Sequence, residues 1–184
     1  SKYRKPLILR GARQVGKTYI LKNFANTYYD NMAYFNFDHD ASLAELFVST
    51  KDPKRIIEQL SFVVGRKIES ANTLIIFDEV QECPDALNSL KYFAEETPEY
   101  HIVAAGSLLG IKLSHTSFPV GKVDYLTLYP MTFSEFLLAD GKENLVHYMK
   151  SIKEVQEIPK IFDDQLIEQL KKYYIIGGMP EVVN

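Results

Sequence analysis

Eight consecutive residues carry the clearest chemistry in this chain: Gly11, Ala12, Arg13, Gln14, Val15, Gly16, Lys17 and Thr18 form a Gly-x4-Gly-Lys-Thr pattern directly behind the apolar run Leu7-Ile8-Leu9. Glycine at 11 and 16 is expected to permit backbone geometry that a Cβ would obstruct, letting successive amides converge on phosphate oxygens. Lys17 would reach the β- and γ-phosphates, and the Thr18 hydroxyl is the group needed to ligate Mg²⁺. Residues 18–26 read as a helix whose N-terminal amides and dipole favour the same anion. The strand before and the helix after supply the context that such a phosphate loop requires.

A second signal lies about sixty residues on, in Leu74-Ile75-Ile76-Phe77-Asp78-Glu79. A continuous apolar run ending in acids is by itself a common buried strand. Paired with the phosphate loop it resembles a Walker B strand. Asp78 at the strand's carboxyl end would hold the Mg²⁺ shell, while Glu79 would orient and deprotonate the water attacking the γ-phosphate. Two adjacent acids favour hydrolysis over kinase chemistry, in which a substrate hydroxyl attacks.

The elements that must position these groups follow from periodicity. Strands are expected at 7–9, 32–37, 74–78, 101–105 and 123–128. Asp52-Pro53 reads as a cap and first-turn proline, with Ile56, Ile57, Leu60, Val63 and Val64 on one helical face. A helix over 84–96 turns Leu87, Leu90 and Phe93 inward, with Cys83 at its start. Repeated strand–helix–strand units imply a parallel sheet covered on both faces, with ligand at the carboxyl ends of the strands. Thr132-Phe133-Ser134-Glu135 offers a capping box that opens a mainly helical segment. A helix over 163–176 presents Leu166, Ile167, Leu170 and Tyr173 and stops at Gly177-Gly178. The reading is thus a core over 1–130 and a small helical lid over 131–184.

Composition sets outer limits. A chain of 184 residues with 46% hydrophobic content suits one domain with a small appendage, and a formal charge of −3 gives no global pull toward nucleic acid. Cys83 is the single cysteine, so no internal disulfide forms, and His39, His101, His115 and His147 lack metal-ligand spacing. With no signal-peptide pattern and no apolar run long enough to span a bilayer, a cytoplasmic location without membrane attachment is expected.

Several motifs in order resemble bacterial and archaeal AAA-type ATPases of the STAND-like branch: residues 11–18, Phe-Asp-Glu-Val-Gln at 77–81, Ala-Gly-Ser at 105–107, Phe-Pro-Val-Gly-Lys-Val at 118–123, the run at 129–137, and Gly-Gly-Met-Pro-Glu at 177–181. The resemblance implies an α/β P-loop NTPase sandwich of three layers with sheet order 5-1-4-3-2. Ser107 then takes the sensor 1 position, where a hydroxyl reports the γ-phosphate or holds the attacking water. Strand-end closure of a turn is the plainer role for it. Gly178-Met179-Pro180 is similar to the GxP motif of STAND lids, with Pro180 near adenine; a glycine helix stop followed by proline explains it equally well. The expected nucleotide contacts are residues 11–18 together with Tyr19, Met179 and Pro180, with ATP or ADP and Mg²⁺ as ligands.

Arginine occurs only at 4, 10, 13, 55 and 66, so no late arginine stands ready to stabilise a transition state, a contribution of about 10³ to 10⁵ in rate where one operates. Lys122 or Lys112 is a weaker stand-in, lacking the planar fork. Slow or partner-activated hydrolysis is the expectation, with a nucleotide-binding switch or scaffold of negligible turnover as the alternative. A third, weaker reading is a remodelling motor for DNA or protein in an oligomeric ring, with Phe118, Lys122 and Tyr125 as pore residues, although their aromatic-apolar spacing more often means core packing. The absence of an Asn-Lys-x-Asp motif favours adenine over guanine. The resembled proteins continue past Asn184 into a further domain, so a C-terminal domain or protein partner carrying the output is expected.

Overall fold

The computed structural model of the chain describes residues 4–107 and 121–183. Lys112, His115, the Phe118-Pro119-Val120 part of the motif, and Asn184 lie outside the described residues. The chain divides into two compact units, one of Ser1–Gly11 with Lys17–Leu128, the other of Ala12–Gly16 with Tyr129–Asn184.

The first unit is a five-stranded parallel sheet between helices. Its strands are β1 (Leu7–Gly11), β2 (Asn31–Asn36), β3 (Thr73–Asp78), β4 (His101–Ser107) and β5 (Asp124–Leu128). They lie in the order β2-β3-β4-β1-β5, the expected 5-1-4-3-2 read in reverse. Every pairing is parallel, as crossover helices require. The helices are α1 (Lys17–Tyr28), α2 (Leu43–Ser49), α3 (Pro53–Val63) and α4 (Pro84–Glu96).

Alternation along each central strand feeds two cores. Ile8, Ile75, Phe77, Ile102 and Ala104 face α2, α3 and α4, whereas Leu9, Leu74, Ile76, Val103 and Ala105 pack with Leu21 and Ala25 of α1. All six residues of β3 are buried, which is why its sequence is an unbroken apolar run rather than an alternating one. Under its end, the Phe77 ring meets Phe35, Phe37 and Phe47 at centroid distances of 6.1, 5.7 and 5.4 Å. The Asp52 side chain accepts from the Lys54 amide at 2.9 Å, so α3 starts as its cap and proline dictate. Its far end departs from expectation in part: Val63 is 48% exposed, whereas Val64, just past the last helical residue, packs against the core that holds Ile56, Ile57 and Leu60.

The second unit contains α5 (Phe133–Ala139), α6 (Glu143–Ser151), α7 (Lys160–Ile176) and the single turn α8 (Pro180–Val183). Thr132 and Glu135 form the capping box in full. Phe136, Leu137, Leu145 and Val146 make its small core, with Phe133, Met149, Phe162, Leu166 and Tyr173 against it. Ile167 does not join them and is 44% exposed, while Gln169 is the buried residue of α7. Gly177 has φ of 76°, ending α7 in the left-handed region. Gly178 is required for a different reason. A Cβ there would stand 2.3 Å from the Met131 carbonyl oxygen, and the Met131 amide donates to the Gly178 carbonyl at 2.7 Å.

Candidate functional site

The register of the sheet gathers polar residues at the carboxyl ends of the strands. Gly11 lies opposite Ser107, and Asn36 lies opposite Asp78. Parallel strands place these ends on one edge, where α/β sheets bind ligands.

Asp78 is the hub. Its carboxylate is only 1% exposed, and a buried charge needs partners. The Thr18 hydroxyl donates to its Oδ2 at 2.7 Å, the Tyr34 hydroxyl donates to the same oxygen at 2.8 Å, and the Glu79 amide donates to Oδ1 at 3.1 Å. Thr18 enters because α1 begins immediately after the loop. Tyr34 enters from β2, two residues before Asn36 and on the same face. Burial, chiefly, pushes the Tyr34 phenol up to about 12, with the Asp78 charge adding to it and the Asn36 amide opposing. Tyr34 therefore stays a neutral donor, and the Lys22 ammonium sits 3.9 Å from its ring centroid.

Lys17 is 6% exposed and its Nζ donates to the Gly11 carbonyl at 3.2 Å, so the side chain folds back to the end of β1. Thr18 and Asp78 bring two hard oxygen donors to one point. Among the described residues, no group of three or more His, Cys, Asp or Glu is arranged to hold a metal. One carboxylate and one hydroxyl fit Mg²⁺, which keeps waters and takes substrate phosphates as its remaining ligands.

Glu79 follows Asp78 in the left-handed region, at φ 50° and ψ 44°, an uncommon conformation for a residue with a Cβ. It caps a 3₁₀ turn over Val80–Glu82 and is half-buried. Ser107 ends β4, half-buried, and its backbone N–H donates to the Gln81 side-chain oxygen at 3.2 Å.

In the second unit, the loop's unusual backbone falls on Gln14 and Gly16, with φ of 64° and 91°. Gly11 ends the strand, paired with Ser107 and Leu128, and is not among the positive-φ positions. Val15 is 3% exposed and anchors the loop, whereas Ala12, Arg13 and Gln14 face outward. Pro180 Cγ lies 3.9 Å from the place a Gly16 Cβ would occupy, so the Met179-Pro180 turn is close to the loop's last glycine. Tyr19 in α1 is 75% exposed.

Lys122 is ion-paired with Glu95 at 2.8 Å, and the interaction holds the Glu95 carboxyl below its ordinary range. Tyr125 lies within β5, packed against the core as its spacing favoured, with the Arg10 guanidinium 5.3 Å from its ring centroid. Sequence reasoning gave no role to Tyr34, Asn36 or Gln81. The polar tips at alternate positions of β2 were the available signal for the first two. No helix among the described residues is long and apolar enough to cross a membrane.

Comparison with known proteins bears on the fold and the family. No curated protein matches the chain. Among solved structures, it is similar to a Walker-type ATPase of Pyrococcus abyssi, with a TM-score of 0.55 and 18% identity over 97% of this chain and 61% of that one. It is also similar to a chain in the structure of Drosophila ORC bound to DNA, with a TM-score of 0.55 and 14% identity over 97% of this chain and 53% of that one. The chain thus spans less than two thirds of either structure. At such identities these likenesses show the fold. A family model described as an AAA domain matches residues 3–137, well over half of the chain. With its parallel sheet order and its phosphate loop, the chain belongs to the AAA domain family of P-loop ATPases.

Proposed function

We propose that this chain binds ATP together with Mg²⁺ and hydrolyses it slowly, using the nucleotide state to reposition its helical C-terminal segment. The observation that carries the reading is the convergence of Thr18 on the buried Asp78 carboxylate, with Glu79 next in sequence at the same strand end.

In this reading the loop amides and Lys17 neutralise the phosphate oxygens. Thr18 and Asp78 hold the ion, which when bound withdraws charge from the phosphates. Glu79 takes a proton from water as its oxygen attacks the γ-phosphorus, and the bond to the β–γ bridging oxygen breaks to leave ADP and phosphate. Ser107 at the end of β4 is assigned the sensing of the γ-phosphate. Met179 and Pro180 are assigned to the adenine side of the loop, supported by the approach of Pro180 to Gly16 within the second unit. The further domain or partner implied by the STAND resemblance would receive the change, and ring assembly remains a property to weigh by oligomer mass with and without ATP.

One observation favours the alternative of a switch with negligible turnover. No arginine follows Arg66, and Lys122 is already held by Glu95. A phosphate-release assay on Glu79→Gln decides between them. An enzyme loses turnover, about 10²-fold or more, while ATP binding survives; wild-type protein that binds ATP and releases no phosphate is a switch.

A further inference from the structure

Gln81 makes two hydrogen bonds that no part of the proposed chemistry has yet used. Its Nε2 donates to Glu79 Oε2 at 2.5 Å, with a longer approach of 3.4 Å to Glu82 Oε1, and its Oε1 accepts the backbone N–H of Ser107 at 3.2 Å. One side chain therefore ties the assigned base to the tip of β4, the strand lying between β3 and β1.

The chemistry of this bridge selects an amide. The Glu79 end needs a donor, because a carboxylate only accepts, and the Ser107 end needs an acceptor, because a backbone N–H only donates. Turning the amide over would set oxygen against carboxylate and N–H against N–H, so both contacts fix a single orientation. A hydrocarbon satisfies neither end. An ionised carboxylate satisfies the Ser107 end and repels Glu79.

The bridge also answers a backbone problem. Glu79 stands in the left-handed region at the head of its turn, and its side chain makes no capping hydrogen bond there. A base on such a turn has side-chain freedom to lose before it meets water, and the Gln81 amide removes that freedom by holding one carboxylate oxygen, leaving the other for the water.

We propose that Gln81 is a positioning residue for the hydrolytic step, holding the Glu79 carboxylate in register with the β4 tip. The inference rests on the reading of Glu79 as the base. It makes the distance between the base and Ser107 depend on one side chain, so that any shift of the β4 tip is transmitted to the base.

The test is steady-state phosphate release by the wild-type chain, Gln81→Ala, Gln81→Glu, Glu79→Gln and the double variant Gln81→Ala/Glu79→Gln, with Mg·ATP binding measured on each by titration calorimetry. Gln81→Ala is expected to lower kcat about ten- to a hundredfold with KM little changed, the scale of a misplaced reacting group. The double variant is expected to be no slower than Glu79→Gln alone, since a positioning residue acts only through what it positions. A loss in kcat at unchanged KM is the signature that a structural role lacks, and Gln81→Glu, which sets a second carboxylate against Glu79, is expected to lose kcat at least as far as Gln81→Ala.

Gln81→Ala with wild-type or faster turnover, or an additive loss in the double variant, overturns the inference while leaving Glu79 as the base. Gln81→Glu with wild-type turnover overturns it too. Wild-type protein without measurable turnover, or Glu79→Gln with full turnover, sinks the proposed hydrolysis and this inference together.

Discussion

Phe77 and Phe136 are both almost wholly buried, yet the surroundings that bury them differ. Phe77 sits at the end of a strand covered on both faces, with three phenylalanine rings within 6.1 Å or less of its centroid. Phe136 belongs to a core of four buried residues, completed by partly exposed neighbours such as Phe133 and Tyr173. Around that second core, Ile161, Tyr174 and Ile175 of α7 remain 67%, 78% and 85% exposed. The first unit is a platform whose polar strand ends are fixed by deep packing. The second is held by a capping box, a few aromatic contacts and the Met131–Gly178 backbone pair, the build of a region that opens locally at low free energy.

The largest expected effect strikes the platform. Phe77→Ala removes a ring from the tightest part of the sheet and is expected to cost about 3–5 kcal/mol in denaturant unfolding. Phe136→Ala should cost less, with loss of amide protection confined to α5–α7 in hydrogen exchange. Equal global losses from both variants would break the contrast. Next, Tyr34→Phe leaves the Asp78 carboxylate one donor short, and a hydrogen bond to a charged group is worth about 1.5–3 kcal/mol; thermal unfolding of the apo protein measures it.

Within the second unit, Gly178→Ala places a methyl against the Met131 carbonyl and is expected to cost about 1–3 kcal/mol, read by faster exchange of the Met131 amide. Smallest is Thr132→Ala, which removes the cap of α5 for about 1 kcal/mol. The cap also carries a pH dependence. Hydrogen bonds from Thr132, first its backbone N–H and then its hydroxyl, hold the Glu135 carboxyl below its ordinary range. A depressed carboxyl stabilises the fold above its unfolded-state value and loses that contribution as pH falls through the depressed one. The stability difference between wild type and Glu135→Gln should therefore shrink on acidification and hold constant from neutral pH upward.

What the sequence disclosed follows the same division. Residues 11–18 and Asp78-Glu79 are contiguous motifs on elements with a strong period, and the sheet order followed from the resemblance they supported. Tyr34 and Gln81 were hidden because their partners are 44 and 26 residues away, brought near by strand register and by a short 3₁₀ turn with no periodic signal. The left-handed backbone of Gln14 was hidden for a related reason: φ of 64° falls there on a residue whose type gives no signal for it, whereas glycine at 16 does. Short helices such as α2 and α6 offer too few turns to declare a face, and Val63 and Ile167 had the right period yet are 48% and 44% exposed.

Titration calorimetry of Mg·ATP with the wild-type chain and Lys17→Ala tests the central claim most directly, since Lys17 is the buried cation that follows the loop. The account predicts saturable one-to-one binding to wild type, weakened at least about tenfold by Lys17→Ala, the scale of one lost charge-assisted contact to phosphate. Equal affinity in the two proteins, or no binding by a folded wild-type chain, would contradict it.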